Sequence, residues 1–245
     1  MTPTLLLLLT PFLPLLAAVP GGGWVLPAVA PLTLYPSFAR RVRAADYYGA
    51  WRLGLLWALL LSLGFIALTE AWPAARAGIL HGEPYRREMF GWIATGLAPE
   101  NDWHQFLPQH LLHFAVFVLL AWASGGYLGL VLGAFLVGYM SYFVGSYAAA
   151  SGHPLLGAVA AWVPWSVLRV LAFVLFGTLF SRPLLVRRVW PFGRDEYRLM
   201  ALAASGLVLD VLMKALEAPA YGIFLRHLAR RALAGLYSAA PGILA

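Results

Sequence analysis

Residues 127–149 read YLGLVLGAFLVGYMSYFVGSYAA. No charged side chain interrupts them, and as an α-helix they extend about 34 Å, more than a hydrocarbon core of about 30 Å. Peptide groups in lipid find no water to bond. The stretch must therefore satisfy its own backbone, and a membrane-spanning helix does so. Gly129 and Gly133 form a GxxxG pair, with Gly138, Ser141 and Gly145 further on. Residues this small let helix backbones approach closely.

Working outward, further apolar stretches of spanning length lie at 50–71, 106–123, 155–180 and 199–219. Ser124-Gly125-Gly126 and Ser151-Gly152-His153-Pro154 supply tight turns between them. Residues 4–37 carry no charge, six prolines and the run Gly21-Gly22-Gly23. They read as a retained membrane segment, since a secretory signal has a basic start. It is either one Pro-kinked span or two half-spans hinged at the glycines. Residues 73–105 mix charges with Ile79, Leu80, Met89, Phe90, Trp92 and Ile93, the pattern of a surface-lying amphipathic helix. Pro99-Glu100 reads as the first turn of another helix. The fold class is an all-α polytopic membrane protein. It is a single membrane domain over 1–245, a bundle of about six transmembrane helices with a Pro/Gly-broken N-terminal segment and an amphipathic extracytoplasmic segment.

Composition agrees. Hydrophobic residues make up 62% and charged residues 11% of the 245, and the mean hydropathy is +0.77. Soluble domains run at about 45–50% apolar and 25% charged, so a water-soluble globule is excluded. Without cysteine there is no disulfide, thiolate nucleophile or Cys-based metal site. The net charge of +7 sits in short arginine runs flanking apolar spans. That is the pattern of a protein facing anionic lipid headgroups, and no nucleic-acid partner is expected. Arginines at 40, 41, 43 and 52, and at 182, 187, 188, 194 and 198, mark the cytoplasmic side. The four crossings between the two clusters return the chain to one face. The composition, rich in Leu, Ala and Arg with almost no Lys, fits a bacterial inner-membrane protein.

Ionisable residues inside a bilayer are costly and point to function. Arg169 lies near the middle of the 155–180 span and Asp210 near the middle of the 199–219 span. Lys214 follows Asp210 by one turn, with Glu217 beyond. Arg169 and Asp210 fall at similar depth on antiparallel spans. They can form an ion pair that only ties two helices together. They can equally line a chamber in which Arg169 and Lys214 hold an anionic ligand. Mid-span Tyr139 and Tyr142 need hydrogen-bond partners and are assigned to the same chamber.

The run from Glu100 to His113 carries His104, His110 and His113. His110 and His113 share a helix face and are candidates for acid/base work or, more weakly, for metal ligation. Glu88, on the charged segment Glu83–Phe90, is a further acid/base candidate beside Glu100 and His104. No cofactor is implied. Two fragments look familiar. Phe106-Leu107-Pro108-Gln109-His110 resembles the Phe-Leu-Pro-x-Ser stretch of undecaprenyl-diphosphate phosphatases, and Leu209-Asp210-Val211-Leu212-Met213-Lys214 resembles the Leu-Asp-x-x-x-Lys stretch of lipoprotein signal peptidases. The serines and paired glutamates of the first family, and the second catalytic aspartate of the other, have no counterpart here. Neither resemblance extends beyond the residues quoted, and neither implies an activity.

The leading functional expectation is non-enzymatic. It is a permease-like protein, or the membrane subunit of a larger complex, working as a homo-oligomer or with other membrane subunits. The chain is short for a transporter built from paired repeats. An intramembrane hydrolase or transferase acting on a lipid-linked anionic substrate is the alternative, and a structural scaffold the second.

Overall fold

The structure, a computed structural model, describes residues 3–97, 101–187 and 192–229. Among these there is helix and no strand. Among the described residues, five helical stretches are long and apolar enough to cross a membrane: Tyr47–Ala71, Trp103–Ser124, Tyr127–Ser151, Pro164–Val186 and Arg194–Leu228.

The N-terminal segment is broken, as its prolines and glycines require. α1 (Pro3–Leu7) and a 3-10 turn over Thr10–Ala18 lead to Gly21, whose φ of 75° is open to glycine without strain. α2 (Gly22–Val29) and α3 (Tyr35–Arg43) follow, joined by a 3-10 turn. None of these pieces reaches spanning length. They pack along α4 (Tyr47–Ala71), which starts where the Asp46 carboxylate accepts the Gly49 N–H at 2.8 Å.

The 73–105 segment contains a 3-10 turn (Pro73–Gly78) and then α5 (Gly82–Thr95). α5 buries Met89, Phe90, Trp92 and Ile93 and turns Arg87 and Glu88 outward, the amphipathic division expected. Residues Pro99 and Glu100 lie outside the described residues. α6 (Trp103–Ser124) is capped by Asp102, which accepts the His104 N–H. It stops at Gly125 and Gly126, both at positive φ, so α7 (Tyr127–Ser151) begins almost at once and runs antiparallel.

The expected continuous span over 155–180 is corrected. It is two helices, α8 (Pro154–Ala161) and α9 (Pro164–Phe180). The proline ring excludes helical backbone at the residue before it, and Val163 is accordingly extended with ψ of 138°. α10 (Arg182–Val186) follows. Then α11 (Arg194–Leu228) runs well past the expected 199–219 at both ends and carries Pro219 internally.

α4 packs between α7 and α9, α11 lies against α9, and α5 lies across α7. α3 packs on α10, so the two described arginine clusters share one end of the bundle. At the opposite end lie α5, α8 and the finish of α11, where the Tyr147 hydroxyl donates to the Leu225 carbonyl at 2.7 Å. α6 and α11 expose most of their apolar surface: Leu111, Leu112 and Leu119 on the first, Leu202, Leu212 and Leu216 on the second. Surface of this kind belongs against lipid or another membrane helix.

Candidate functional site

α9 and α11 run antiparallel with their polar residues in register. Arg169 donates twice to Asp210, Nε to Oδ2 and Nη2 to Oδ1, both at 2.9 Å. Such a fork is among the stronger charge-assisted geometries. The Asp210 side chain keeps 2% of its exposure and that of Arg169 keeps 23%. One turn along α11, Lys214 is also buried, its Nζ 4.4 Å from the centre of the Phe106 ring on α6.

α6 brings the histidines to the same place. The His110 ring meets Phe106 edge-on at 5.4 Å and lies within electrostatic reach of Arg169, Lys214 and His113. Its Nδ1 is 2.6 Å from the Phe106 carbonyl oxygen. A carbonyl only accepts, so Nδ1 carries the hydrogen and Nε2 is left as an acceptor. That Nε2 is buried and has no hydrogen-bond partner. His113, half-buried a turn on, is also near Arg169. Five of the residues singled out in the sequence, Arg169, Asp210, Lys214, His110 and His113, thus meet between α6, α9 and α11.

The others do not join them. Tyr139 and Tyr142 turn to α5 instead. Tyr139 stacks among His81, Tyr85 and Phe135, and the Tyr142 hydroxyl donates to Glu83 Oε2 at 3.0 Å. A helix presents one stripe to each neighbour, and these tyrosines fall on the α5 stripe. Glu88 is exposed on α5 and His104 is exposed at the start of α6. Glu100 lies outside the described residues. Among the described residues no three His, Asp or Glu side chains are grouped as a metal ion requires.

The α5 cluster has its own electrostatics. Arg86 bonds both Glu83 oxygens at 2.7 Å, and Arg87 and Tyr142 add to them. The Arg86 guanidinium, foremost, with Arg87 and the Tyr142 hydroxyl, lowers the Glu83 carboxyl from 4.5 to about 2. It is a clasp between α5 and α7.

Two cavities flank α9. The inner one, about 70 Å³, runs between α4, α6, α7 and α9. Phe38, Gly126 and Thr178 line one end; Ser166 and Arg169 line the other. The outer one, about 340 Å³, is apolar and lies between α4, α7 and α9. Ala58, Val137 and Val170 belong to both linings. The GxxxG pair divides between two tasks. A Cβ on Gly129 would lie 3.1 Å from Ala121 of α6, whereas one on Gly133 would meet nothing within 4 Å, because Gly133 faces the inner cavity.

Sequence reasoning missed one buried pair. Arg182 Nη1 donates to Glu196 at 3.2 Å, with side-chain exposures of 3% and 11%. The Gly193 N–H bonds the same carboxylate, and Phe192 lies under the guanidinium. The only available signal was their position in the charged 181–198 connection, where no helical period frames a pairing.

No family model, curated protein or solved structure matches the chain.

Proposed function

We propose that this integral membrane protein binds an anionic ligand within the bilayer, acting as a permease-like protein or as the membrane subunit of a larger complex. The observation that carries this reading is the meeting of half-buried Arg169 and His110 with buried Asp210 and Lys214 between α6, α9 and α11. Two cations supply donors of the kind that holds carboxylate or phosphate. The buried His110 Nε2 can accept a hydrogen from a ligand hydroxyl or a partly protonated phosphate. A pair serving helix packing alone would not call for a second cation and an unsatisfied acceptor beside it. The apolar faces of α6 and α11 support contact with lipid or with neighbouring subunits. The arginine-rich end is the cytoplasmic one under the positive-inside rule.

The test is ligand-linked stability. Binding to the folded state alone adds about 2.7 kcal/mol when the ligand is at 100 times its Kd. Inorganic phosphate should stabilise the purified protein in uncharged detergent relative to chloride at equal ionic strength. It should not stabilise the Arg169→Leu/Asp210→Leu variant. Equal stabilisation of both, or of neither, overturns the proposal.

His110 also favours a second reading, an enzyme acting on a lipid-linked anionic substrate, with Nε2 as the base. In that case His110→Gln abolishes turnover and leaves anion binding intact. On the first reading it weakens binding.

A further inference from the structure

We infer that a second copy of this chain lies against the outer face of α6, and that the two Gln109 side chains bond each other across a two-fold axis along the membrane normal. This is independent of the anion-binding reading.

The first observation is burial. Among the described residues, α6 and α11 bury 17% of their membrane-crossing windows, against 44–50% for the other three spans. Each therefore has a broad face for lipid or for a protein neighbour. Apolarity alone does not choose between them, because lipid tails are as apolar as leucine.

The second is Gln109. α6 is about 33 Å long, and exposed Trp103 and Trp122 stand near its two ends, as interfacial tryptophans do. Gln109 lies about 9 Å along the axis from Trp103, which places its amide inside the hydrocarbon. It is exposed, and among the described residues it makes no hydrogen bond. Gln105, one turn earlier, differs, because its amide donates to Asp102 Oδ2 at 2.8 Å. A carboxamide facing lipid tails has donors and an acceptor that the tails cannot satisfy. A second Gln109 satisfies both, since each Nε2–H can donate to the other's Oε1.

The third is charge. A two-fold axis along the membrane normal keeps every residue at its own depth, so a helix at the axis meets its own sequence. α6 tolerates this, for Trp103–Ser124 contains no Asp, Glu, Lys or Arg. α11 does not. Its Glu217 is exposed three residues beyond Lys214 and would oppose its own copy, with little water to screen the two charges. The seam is visible in the spacing. Gln105, Gln109, Leu112, Val116, Leu119 and Ala123 follow at intervals of four and three, and all six are exposed. That is the a/d pattern of two helices wound left-handed about each other. Buried Phe106, Phe117 and Ala121 hold another side of α6 against its own bundle.

The chain has no cysteine, so single cysteines report proximity without background. The full-length protein is reconstituted in phosphatidylcholine vesicles at a high lipid-to-protein ratio and oxidised with copper phenanthroline, and dimers are read on a denaturing gel. A disulfide requires Cα atoms within about 7 Å. Leu112→Cys, Val116→Cys and Leu119→Cys should cross-link. Leu111→Cys and Trp122→Cys, off the seam on the same helix, should not, nor should Leu212→Cys and Leu216→Cys on α11. Gln109→Leu should raise the dimer dissociation constant about tenfold, the value of two interhelical hydrogen bonds, measured by energy transfer between copies labelled through Arg187→Cys. Every substituted position is exposed, so folding is spared. Cross-linking from α11 or from Leu111 and Trp122 in place of the seam overturns the inference. So does the absence of any cross-link, or a dimer unaffected by Gln109→Leu.

Discussion

The Arg169–Asp210 pair makes an asymmetric prediction. Removing one partner of a buried, hydrogen-bonded ion pair costs roughly 3–5 kcal/mol, because the remaining charge is stranded. Which charge remains matters. Arg169→Leu strands the Asp210 carboxylate, whose side chain is 2% exposed. That loss belongs near the top of the range, about 4–5 kcal/mol. Asp210→Leu strands a guanidinium that keeps 23% of its exposure and a long stem to reach polar surroundings. Its loss is smaller, about 2–3 kcal/mol. The variant Arg169→Leu/Asp210→Leu leaves apolar side chains in an apolar bundle and should lie within about 1 kcal/mol of wild type. The assay is unfolding in mixed micelles titrated with sodium dodecyl sulfate, followed by tryptophan fluorescence. The double variant must be more stable than either single one. Equal losses in the two singles, or a double variant no better than Arg169→Leu, would refute the reasoning.

The Glu83 clasp has a defined pH window. Its folded carboxyl titrates at about 2, below the ordinary 4.5, so its contribution is complete above pH 4.5 and disappears as pH falls towards 2. With 39% of the side chain exposed, screening holds that contribution to about 1 kcal/mol. The stability difference between wild type and Glu83→Gln should therefore shrink below pH 4.5, as measured by thermal unfolding. Gly64→Ala and Gly133→Ala should part company: a Cβ at Gly64 would overlap the Pro11 carbonyl oxygen, while at Gly133 it meets nothing within 4 Å. The first should cost about 2 kcal/mol, and the second should be neutral or stabilising by up to about 1 kcal/mol through helix propensity. The chain has no cysteine, so single cysteines at Arg40 and Arg187 can be probed without background. An impermeant maleimide should label both from the cytoplasmic side, and labelling from opposite sides contradicts the topology.

The spans were legible because lipid imposes one requirement, internal backbone satisfaction over about 20 apolar residues, and hydropathy reports it directly. The pairing of Arg169 with Asp210 was legible too, since equal depth on antiparallel spans is a matter of counting. Hydropathy is silent about direction. It places Tyr139 and Tyr142 in mid-span but not on the α5 side, where Glu83 and Tyr85 meet them. It reads through Trp162-Val163-Pro164, because the proline restriction that separates α8 from α9 changes backbone and not polarity. GxxxG signals closeness, and Gly129 obeys. Gly133 does not, because the wall opposite it belongs to α9 and stands away from α7. The Arg182–Glu196 pair was hidden for a related reason: both residues lie where helices begin, and no helical period frames their pairing.

The central claim is that the Arg169–Lys214–His110 cluster holds an anionic ligand within the bilayer. The most direct measurement is native mass spectrometry of the detergent-purified protein, with identification of any released adduct. The account predicts one anionic adduct per chain in the wild type and none in Arg169→Leu/Asp210→Leu, which should still fold. Equal adduct in both proteins, or none in the wild type even after incubation with inorganic phosphate, would contradict it.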